Sequence, residues 1–274
     1  MERPVRTLSK REAELVSWLE AERRLSISLP EVRRTLGWSD SVARNTLSRL
    51  AKKGWLRRTA LGRYEAVLAE TGGWSVPNPW AALSTWGQRY YVGFKSAAYE
   101  HGLTADRPGS VQTCVPTGAR RPLSWGDIPI VLIYLPKFDS AGTQYRKLHQ
   151  FEVEIASPEK ILVDGASLPG RMGGVLGLAR IVDRAANQVD WATVVQLTTA
   201  SPGGRVSLRR LAALLEILGR EVPDPLANGA TARLGESALF LGARRTYGAR
   251  GERLSRWQVI VNVDPAAVLE ELRR

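Results

Sequence analysis

The chain has 274 residues, of which 44% are hydrophobic, so it is long enough to bury a sizeable core and to form two domains of ordinary size. Lysine and arginine outnumber aspartate and glutamate by 39 to 27, and the formal net charge of +12 favours a polyanionic partner. A single cysteine, Cys114, excludes an internal disulfide and a cysteine-rich zinc site, and two histidines are too few for a histidine metal cluster. We therefore expect neither a metal nor a cofactor.

The apolar stretches are too short to span a membrane. The longest, Ile128 to Leu135, falls far short of the roughly 20 residues that cross a bilayer. The N-terminal residues Met1 to Pro4 lack the apolar run of a signal peptide. We expect a cytoplasmic protein with no membrane partner.

The positive charge is concentrated near the N-terminus. Residues 1–65 contain 15 lysines and arginines against 8 acidic residues, a net charge of +7 that leaves +5 for the other 209 residues. The N-terminal segment is therefore where we expect a polyanion to bind.

Three helices are predicted in this segment. Ser9 to Glu12 and Ser28 to Glu31 have the spacing of capping boxes, so each marks the start of a helix. The second helix stops at Gly37, a residue suited to the left-handed conformation, and Ser39 or Asp40 caps the third helix. Two helices joined by a tight glycine-containing turn are typical of a helix-turn-helix.

The third helix has two different faces. Its apolar face carries Val42, Ala43, Thr46, Leu47 and Leu50. Its polar face carries Ser41, Arg44, Asn45, Ser48 and Lys52, with Arg49 at the border. Arginine pairs with guanine, asparagine pairs with adenine, and serine and lysine contact phosphates or base edges. This face is predicted to bind DNA.

A β-hairpin is predicted after Gly54. Residues 55–59 form one strand, 60–63 a turn and 64–67 the return strand, and Arg57, Arg58 and Arg63 can reach the DNA backbone or the minor groove. Residues 1–67 are therefore predicted to be a winged helix-turn-helix DNA-binding domain. The alternatives are a helical domain with a solvated basic face, or a winged helix that contacts protein.

Residues 68–88 are predicted to be a packed linker. Their glycines and prolines, including Pro77 and Pro79, are expected to break any helix, while Trp74, Trp80 and Trp86 are too apolar for a free tether. The domain boundary is placed here, which leaves residues 89–274 as a larger C-terminal domain.

The C-terminal domain is predicted to be of the α+β class, with mixed helices and strands, a mostly antiparallel sheet and a helical subdomain. Ser96 is expected to cap a short helix, and the strand at 128–135 is expected to be buried on both faces. Further strands are predicted at 90–94, 111–116, 151–155 and 257–263, and helices after Ser157 and at 174–186, 190–199, 205–219 and 268–272.

The residues of this domain do not assemble into a recognisable active site. Glu152 and Glu154 have a spacing reminiscent of a nuclease metal site, but the expected lysine is absent because position 156 is alanine. Asp164, in an otherwise apolar helix, is expected to pair with an arginine. We predict a protein without catalytic activity, and a DNA-targeted nuclease and a ligand-responsive repressor remain as alternatives.

Five short motifs along the chain form a family pattern. They are YYVGFKSAAYEHGL at 90–103, EIASPEKILVDGA at 154–166, DWATVVQL at 190–197, SLRRLAALLEILG at 207–219 and RWQVIVNVD at 256–264. Together with the N-terminal winged helix, this pattern resembles the AbiEi family of antitoxins over nearly the whole chain. Two features depart from it: Lys160-Ile161 stands where the family commonly has Arg-Thr, and residues 239–251 are irregular.

The resemblance implies an antitoxin of a type IV toxin–antitoxin system that acts in phage defence by abortive infection. By that resemblance, the N-terminal domain binds inverted repeats in the operator and represses the operon, an arrangement that suits a dimer on DNA. The C-terminal domain then neutralises a nucleotidyltransferase-like toxin, directly or indirectly, and assists repression.

Overall fold

The computed structural model describes residues 8–22, 24, 26–67, 78–122, 125, 128–148, 151–200, 204–232, 234 and 238–272. Residues 68–77 of the predicted linker, which include Trp74, lie outside these residues. The chain divides into two compact units. The N-terminal unit comprises residues 1–88, 119–129 and 147–153, and the C-terminal unit comprises 89–118, 130–146 and 154–274.

The N-terminal unit begins with helices and a small antiparallel sheet. In chain order its elements are α1 (Lys10–Ala21), β1 (Ser26–Ser28), α2 (Leu29–Leu36), α3 (Asp40–Lys52), β2 (Leu56–Ala60), β3 (Arg63–Ala66) and α4 (Pro79–Ser84). The sheet has the strand order β1-β3-β2. The three helices and the hairpin are confirmed, whereas β1 was not predicted because three residues before a helix cap are too few to show a strand period.

The predicted ends of α2 and α3 are confirmed at atomic detail. The Ser28 hydroxyl accepts a hydrogen bond from the Glu31 amide at 3.4 Å, and the Glu31 carboxylate accepts one from the Ser28 amide at 2.8 Å. Gly37 has a φ of +66°, the left-handed conformation that ends a helix without steric cost. The Ser39 hydroxyl caps α3 by accepting from the Val42 amide at 3.4 Å.

A single apolar core joins these elements. Its fully or nearly fully buried side chains are Leu15, Leu19, Ile27, Val32, Ala43, Leu47, Leu50, Leu56 and Tyr64. At its edge, the buried Glu12 carboxylate accepts hydrogen bonds from the Lys53 ammonium at 2.6 Å and from the Ser9 amide at 2.6 Å. The hydrogen bond from Lys53, followed by that from Ser9, lowers the pKa of Glu12 to about 2. One carboxylate thus ties the start of α1 to the end of α3.

The prediction that residues around Pro79 exclude a helix is wrong. Helix α4 starts at Pro79, where proline is tolerated because amides of the first turn need no partner within the helix. The Asn78 side chain caps it by accepting from the Trp80 amide at 3.0 Å. Beyond the helix, the Trp86 and Trp125 rings lie 4.7 Å apart within the N-terminal unit.

A five-stranded mixed sheet follows these elements along the chain. Its strands are β4 (Tyr91–Val92), β5 (Val111–Pro116), β6 (Ile130–Leu135), β7 (Thr143–Leu148) and β8 (Phe151–Ala156), in the order β6-β5-β4-β8-β7. β4 and β5 are antiparallel, but β5 pairs with β6 and β4 with β8 in parallel, so the prediction of a mostly antiparallel sheet is wrong. β6 is an edge strand with Val131 and Tyr134 exposed, so it is not buried on both faces.

The helices of the C-terminal unit include those predicted. They are α5 (Phe94–Glu100), α6 (Pro158–Ser167), α7 (Gly174–Ala185), α8 (Trp191–Ala200), α9 (Gly204–Ile217) and α10 (Asp224–Thr231). α6 packs against α8 and α9 and forms the centre of the helical layer. The predictions after Ser157 and at 174–186, 190–199 and 205–219 are confirmed to within two residues, whereas α10 was not predicted.

Ser96 does not cap α5 as predicted. The helix begins two residues earlier, at Phe94, which has a positive φ of +51°. Ser96 is buried, and its hydroxyl accepts from the Gln112 amide at 2.9 Å while donating to the Ser110 carbonyl. The serine therefore joins the helix to the adjoining strand.

A second, three-stranded sheet follows near the C-terminus. Its strands are β9 (Leu239–Phe240), β10 (Glu252–Leu254) and β11 (Val259–Val261), in the order β10-β11-β9. Helix α11 (Arg244–Tyr247) comes between β9 and β10 in the chain, and helix α12 (Pro265–Glu271) follows β11. β11 is shorter than the predicted strand because Trp257 and Gln258 belong to a turn, where Gln258 has a φ of +51°. Across the described ranges, none of the helices is long and apolar enough to cross a bilayer.

Candidate nucleic-acid interface

The polar face of α3 is open to solvent, as predicted. Ala43, Thr46, Leu47 and Leu50 are buried on the opposite face. The exposed residues are Ser41, Arg44, Asn45, Ser48, Arg49 and Lys52. The helix thus separates a packing face from a face rich in hydrogen-bond donors, and the predicted border residue Arg49 belongs to the exposed face.

A concavity of about 300 Å³ lies between α3 and the β2–β3 hairpin. Its lining residues are Leu29, Arg44, Asn45, Leu47, Ser48, Arg58, Gly62 and Tyr64. Four of the nine predicted site residues, from two different elements, therefore meet around one opening. The Gly62 carbonyl accepts a hydrogen bond from the Leu29 amide at 2.7 Å, which fixes the hairpin turn against the start of α2.

Arg44 is held by an acidic neighbour on its own helix. Its guanidinium donates to the Asp40 carboxylate at 2.8 Å and 3.3 Å, and Arg33 lies 3.4 Å from the same carboxyl group. The hydrogen bond from Arg44 lowers the pKa of Asp40, so the carboxylate is charged near neutral pH. In the free protein, Arg44 is thus oriented and partly neutralised.

The three arginines of the hairpin have different surroundings. Arg57 forms an ion pair with the buried Glu65 on the neighbouring strand, and burial raises the pKa of that carboxyl group. Arg58 is exposed and lines the concavity. Arg63 is half-buried, and its guanidinium lies close to Gly87.

Two features of this interface go beyond what the sequence pattern predicts. Tyr64 and Gly62 line the concavity, whereas the pattern places them only in the strand and the turn of the hairpin. Asp40 is predicted only as a possible helix cap, although its position four residues before Arg44 is a signal for an ion pair on a helix.

A buried polar cluster lies within the C-terminal unit. The Tyr91 hydroxyl donates to the Asp164 carboxylate at 2.8 Å, and the Lys160 ammonium lies 3.5 Å from the same carboxylate and 4.8 Å from the centre of the Tyr91 ring. Burial raises the pKa of Asp164, while Lys160 opposes that shift. The predicted arginine partner of Asp164 is therefore wrong, since a lysine one helical turn away and a tyrosine from β4 take its place.

This cluster borders a cavity of about 200 Å³. The wall is mostly apolar and includes four charged side chains, those of Lys137, Asp139, Lys160 and Asp164. The lining residues are Tyr91, Phe94, Leu135, Pro136, Lys137, Asp139, Ala141, Lys160, Val163, Asp164, Ser167, Leu168 and Leu197.

The two glutamates with nuclease-like spacing do not converge with other acids. Glu152 is exposed, and the Glu154 carboxylate accepts a hydrogen bond from the Thr143 hydroxyl. Among the residues that the structure describes, no three histidine, cysteine, aspartate or glutamate side chains come together as metal ligands.

Comparison with known proteins finds one family match, in the middle of the chain. Residues 91–217 match the family model described as the AbiEi antitoxin C-terminal domain. The fold is similar to the crystal structure of the RV2827C protein from Mycobacterium tuberculosis, with a TM-score of 0.69 and 17% identity over 98% of this chain and 96% of that one. No curated protein matches the sequence significantly. Residues 91–217 are therefore similar to an AbiEi antitoxin C-terminal domain, in agreement with the family resemblance of the sequence motifs.

Proposed function

We propose that this AbiEi-family antitoxin binds duplex DNA through an N-terminal winged helix-turn-helix. The element order α1-β1-α2-α3-β2-β3 and the sheet order β1-β3-β2 support this proposal, because they place a hairpin beside the second helix of a helix-turn-helix. The single observation that carries it is the concavity in which Arg44, Asn45 and Ser48 of α3 face Arg58 of the hairpin.

In this proposal α3 enters the major groove. Arg44 and Asn45 read base edges, because arginine and asparagine can each form two hydrogen bonds with one base. Ser41 and Ser48 contact either base edges or phosphates, while Arg49 and Lys52 contact phosphates. Arg58 contacts the backbone beside the groove. Arg57 and Arg63 add positive charge to the hairpin while Arg57 stays paired with Glu65.

We further propose that the protein represses its own operon and neutralises a toxin. Inverted repeats in the operator would be bound by two copies related by a two-fold axis. The AbiEi domain supports a toxin partner, which we take to be nucleotidyltransferase-like and to be neutralised directly or indirectly. The system would be of type IV and act in phage defence within the cytoplasm, and the antitoxin itself would catalyse no reaction.

DNA reading is tested by fluorescence anisotropy with the promoter of the gene and a scrambled duplex of equal length. Arg44→Ala and Asn45→Ala should each lower the preference for the promoter by about 1–3 kcal/mol, the value of one bidentate base contact. Arg184→Ala removes an exposed arginine from the C-terminal unit and serves as the control for charge. Unchanged preference in both α3 variants would contradict the assignment of the reading face.

Neutralisation is tested separately by expressing the chain from an unrelated promoter together with the neighbouring downstream gene. If that gene encodes a toxin, the wild-type chain should restore growth. An Arg44→Ala/Asn45→Ala double variant should restore growth equally, since these residues act only on DNA. Loss of protection in the double variant would show that α3 contributes to antitoxicity.

The cavity beside Tyr91, Lys160 and Asp164 favours a second candidate, a repressor that responds to a small molecule. Mostly apolar cavities with a few converging polar groups are typical of ligand sites. The neighbouring gene separates the two candidates, since a downstream nucleotidyltransferase reading frame favours the antitoxin and its absence favours the sensor.

A further inference from the structure

The cavity of about 200 Å³ beside Tyr91 is lined entirely by residues of the C-terminal unit. Its wall is formed by β4, α5, α6, α8 and the segment that follows β6. Among its charged residues, Lys137 and Asp139 are exposed. The side chains of Lys160 and Asp164, in contrast, are only 10% and 12% exposed. A molecule inside the cavity would therefore meet Lys160 and Asp164 away from bulk water.

Within this buried pair, the aspartate has better hydrogen-bond partners than the lysine. One oxygen of the Asp164 carboxylate accepts from the Tyr91 hydroxyl at 2.8 Å, whereas the other lies 3.5 Å from the Lys160 ammonium, near the limit of a hydrogen bond. An ammonium has three N–H donors, and in the described part of the chain this carboxylate oxygen is the one acceptor that they reach. Buried donors without acceptors cost free energy, so the cavity favours a molecule that brings an acceptor.

The charges of the lining select an uncharged molecule. Two lysines and two aspartates line the cavity, so their formal charges cancel. A bound ion would add a charge without a counter-charge to a largely buried site, which is costly. A carbonyl oxygen accepts a hydrogen bond from Lys160 without changing this balance and without adding a donor of its own.

The rest of the lining sets the size and character of the molecule. Much of the wall is apolar, and it includes the side chains of Phe94, Val163, Leu168 and Leu197. Since an apolar cavity of about 150 Å³ holds benzene, one of about 200 Å³ holds roughly eight or nine non-hydrogen atoms. Leu168 is 43% exposed, so the wall reaches the surface there and offers a way in.

We propose that this cavity binds a small uncharged molecule that has an apolar body and a carbonyl oxygen, which accepts a hydrogen bond from Lys160. The apolar body packs on Phe94 and the aliphatic side chains of the wall. Control of DNA binding by such a molecule rests on the second candidate function proposed above, the ligand-responsive repressor. Binding in the cavity depends neither on that function nor on the proposed role of α3.

The experiment titrates the full isotope-labelled chain with acetophenone, an uncharged carbonyl compound of this size, and follows binding by NMR. Ethylbenzene has nearly the same shape without the oxygen, and benzoate has the same ring with a negative charge. Acetophenone should bind about tenfold more tightly than either compound, because one hydrogen bond to a charged group is worth about a factor of ten or more.

Two variants separate the hydrogen bond from the space in the cavity. Lys160→Met should weaken acetophenone binding about tenfold and change ethylbenzene binding little, because it removes the donor and keeps an unbranched side chain. Its control is Lys95→Met, since Lys95 lies 3.4 Å from Asp106 in a similar pair but does not line the cavity. Ala141→Leu fills part of the cavity and should weaken the binding of both compounds, with the exposed Ala266→Leu as control.

The proposal is overturned if acetophenone does not bind, or if it binds the Ala141→Leu variant as tightly as the wild-type chain. Equal affinities for acetophenone and ethylbenzene would rule out the hydrogen bond from Lys160, and tighter binding of benzoate would rule out an uncharged molecule. Failure of the ligand-responsive repressor is distinguishable. In that case acetophenone still binds in the cavity, while the affinity of the chain for its promoter duplex does not change.

Discussion

The guanidinium of Arg44 lies 2.8 Å from the carboxylate of Asp40, one turn earlier in the same helix. The two residues occupy the face that we propose to contact DNA, where a carboxylate repels phosphates and competes with them for the arginine. The structure therefore contains a negative charge that weakens the proposed complex while holding its main reading residue in place.

Asp40→Asn is expected to raise affinity for duplex DNA of any sequence by several-fold at low salt, because it removes a repulsive charge and releases Arg44. The gain should shrink as salt rises, since the interaction is exposed and screened. Anisotropy with promoter and scrambled duplexes measures both effects. Asp183→Asn, which breaks a 2.8 Å pair with Arg220 in the C-terminal unit, is the control, and an equal gain there would contradict the prediction.

Arg58→Ala is expected to weaken binding to promoter and scrambled DNA by the same factor. Arg58 is exposed on the hairpin and we assign it a phosphate contact, which carries no sequence information. The salt slope should become shallower by about 0.9, with the ratio of the two affinities unchanged. A selective loss of promoter binding would instead place Arg58 on a base edge.

Stability at low pH is expected to depend on Glu12. Because Lys53 and Ser9 lower its pKa from 4.5 to about 2, the carboxylate stabilises the folded chain above pH 4.5, and this contribution is lost as the pH falls from 4.5 towards 2. Glu12→Gln should therefore lower Tm at pH 7 and lower it progressively less between pH 4.5 and 3. Glu14→Gln, on the exposed side of the same helix, is the control. A difference in Tm that does not change with pH would contradict the assignment.

Asp164→Ala is expected to destabilise the C-terminal unit by about 3–5 kcal/mol, because it leaves the Lys160 ammonium buried without its counter-charge. Urea denaturation followed by circular dichroism measures the loss. Asp183→Ala breaks a surface pair with Arg220 and should cost no more than about 1 kcal/mol. Adding Lys160→Met to Asp164→Ala should recover part of the stability, and failure to recover any would argue against the charge as the cause.

Much of the secondary structure of the N-terminal unit could be predicted because it depends on interactions between residues that are close in sequence. Ser28, Gly37 and Ser39 set the ends of helices through hydrogen bonds and a backbone conformation that depend on a few neighbouring residues. The division of α3 into buried and exposed faces follows from its period, so the exposed set could be named in advance. What the pattern did not show is that Tyr64 and Gly62 complete the concavity, because that depends on how the hairpin packs on α2 and α3.

The C-terminal unit was predicted less well because its structure depends on pairings between distant residues. The period of β6 does not reveal that it lies at the edge of a sheet or runs parallel to β5. Ser96 resembles a helix cap in sequence, but its hydroxyl bonds to residues 110 and 112 once β5 is in place. Likewise, Tyr91 reaches Asp164 across 73 positions of the chain, a partner that no local motif indicates.

The N-terminal unit is built from three separate segments of the chain, and this limits where the chain can be cut into fragments. Because that unit includes residues 119–129 and 147–153 as well as 1–88, a single cut leaves one of the two units incomplete. A fragment ending at residue 88, for example, lacks Trp125, the ring that packs on Trp86. The same order applies during synthesis. The ribosome must synthesise the chain as far as residue 153 before the N-terminal unit has all of its residues. By then residues 89–118 and 130–146 of the C-terminal unit have also been made. The N-terminal unit therefore cannot complete its folding before synthesis of the C-terminal unit has begun.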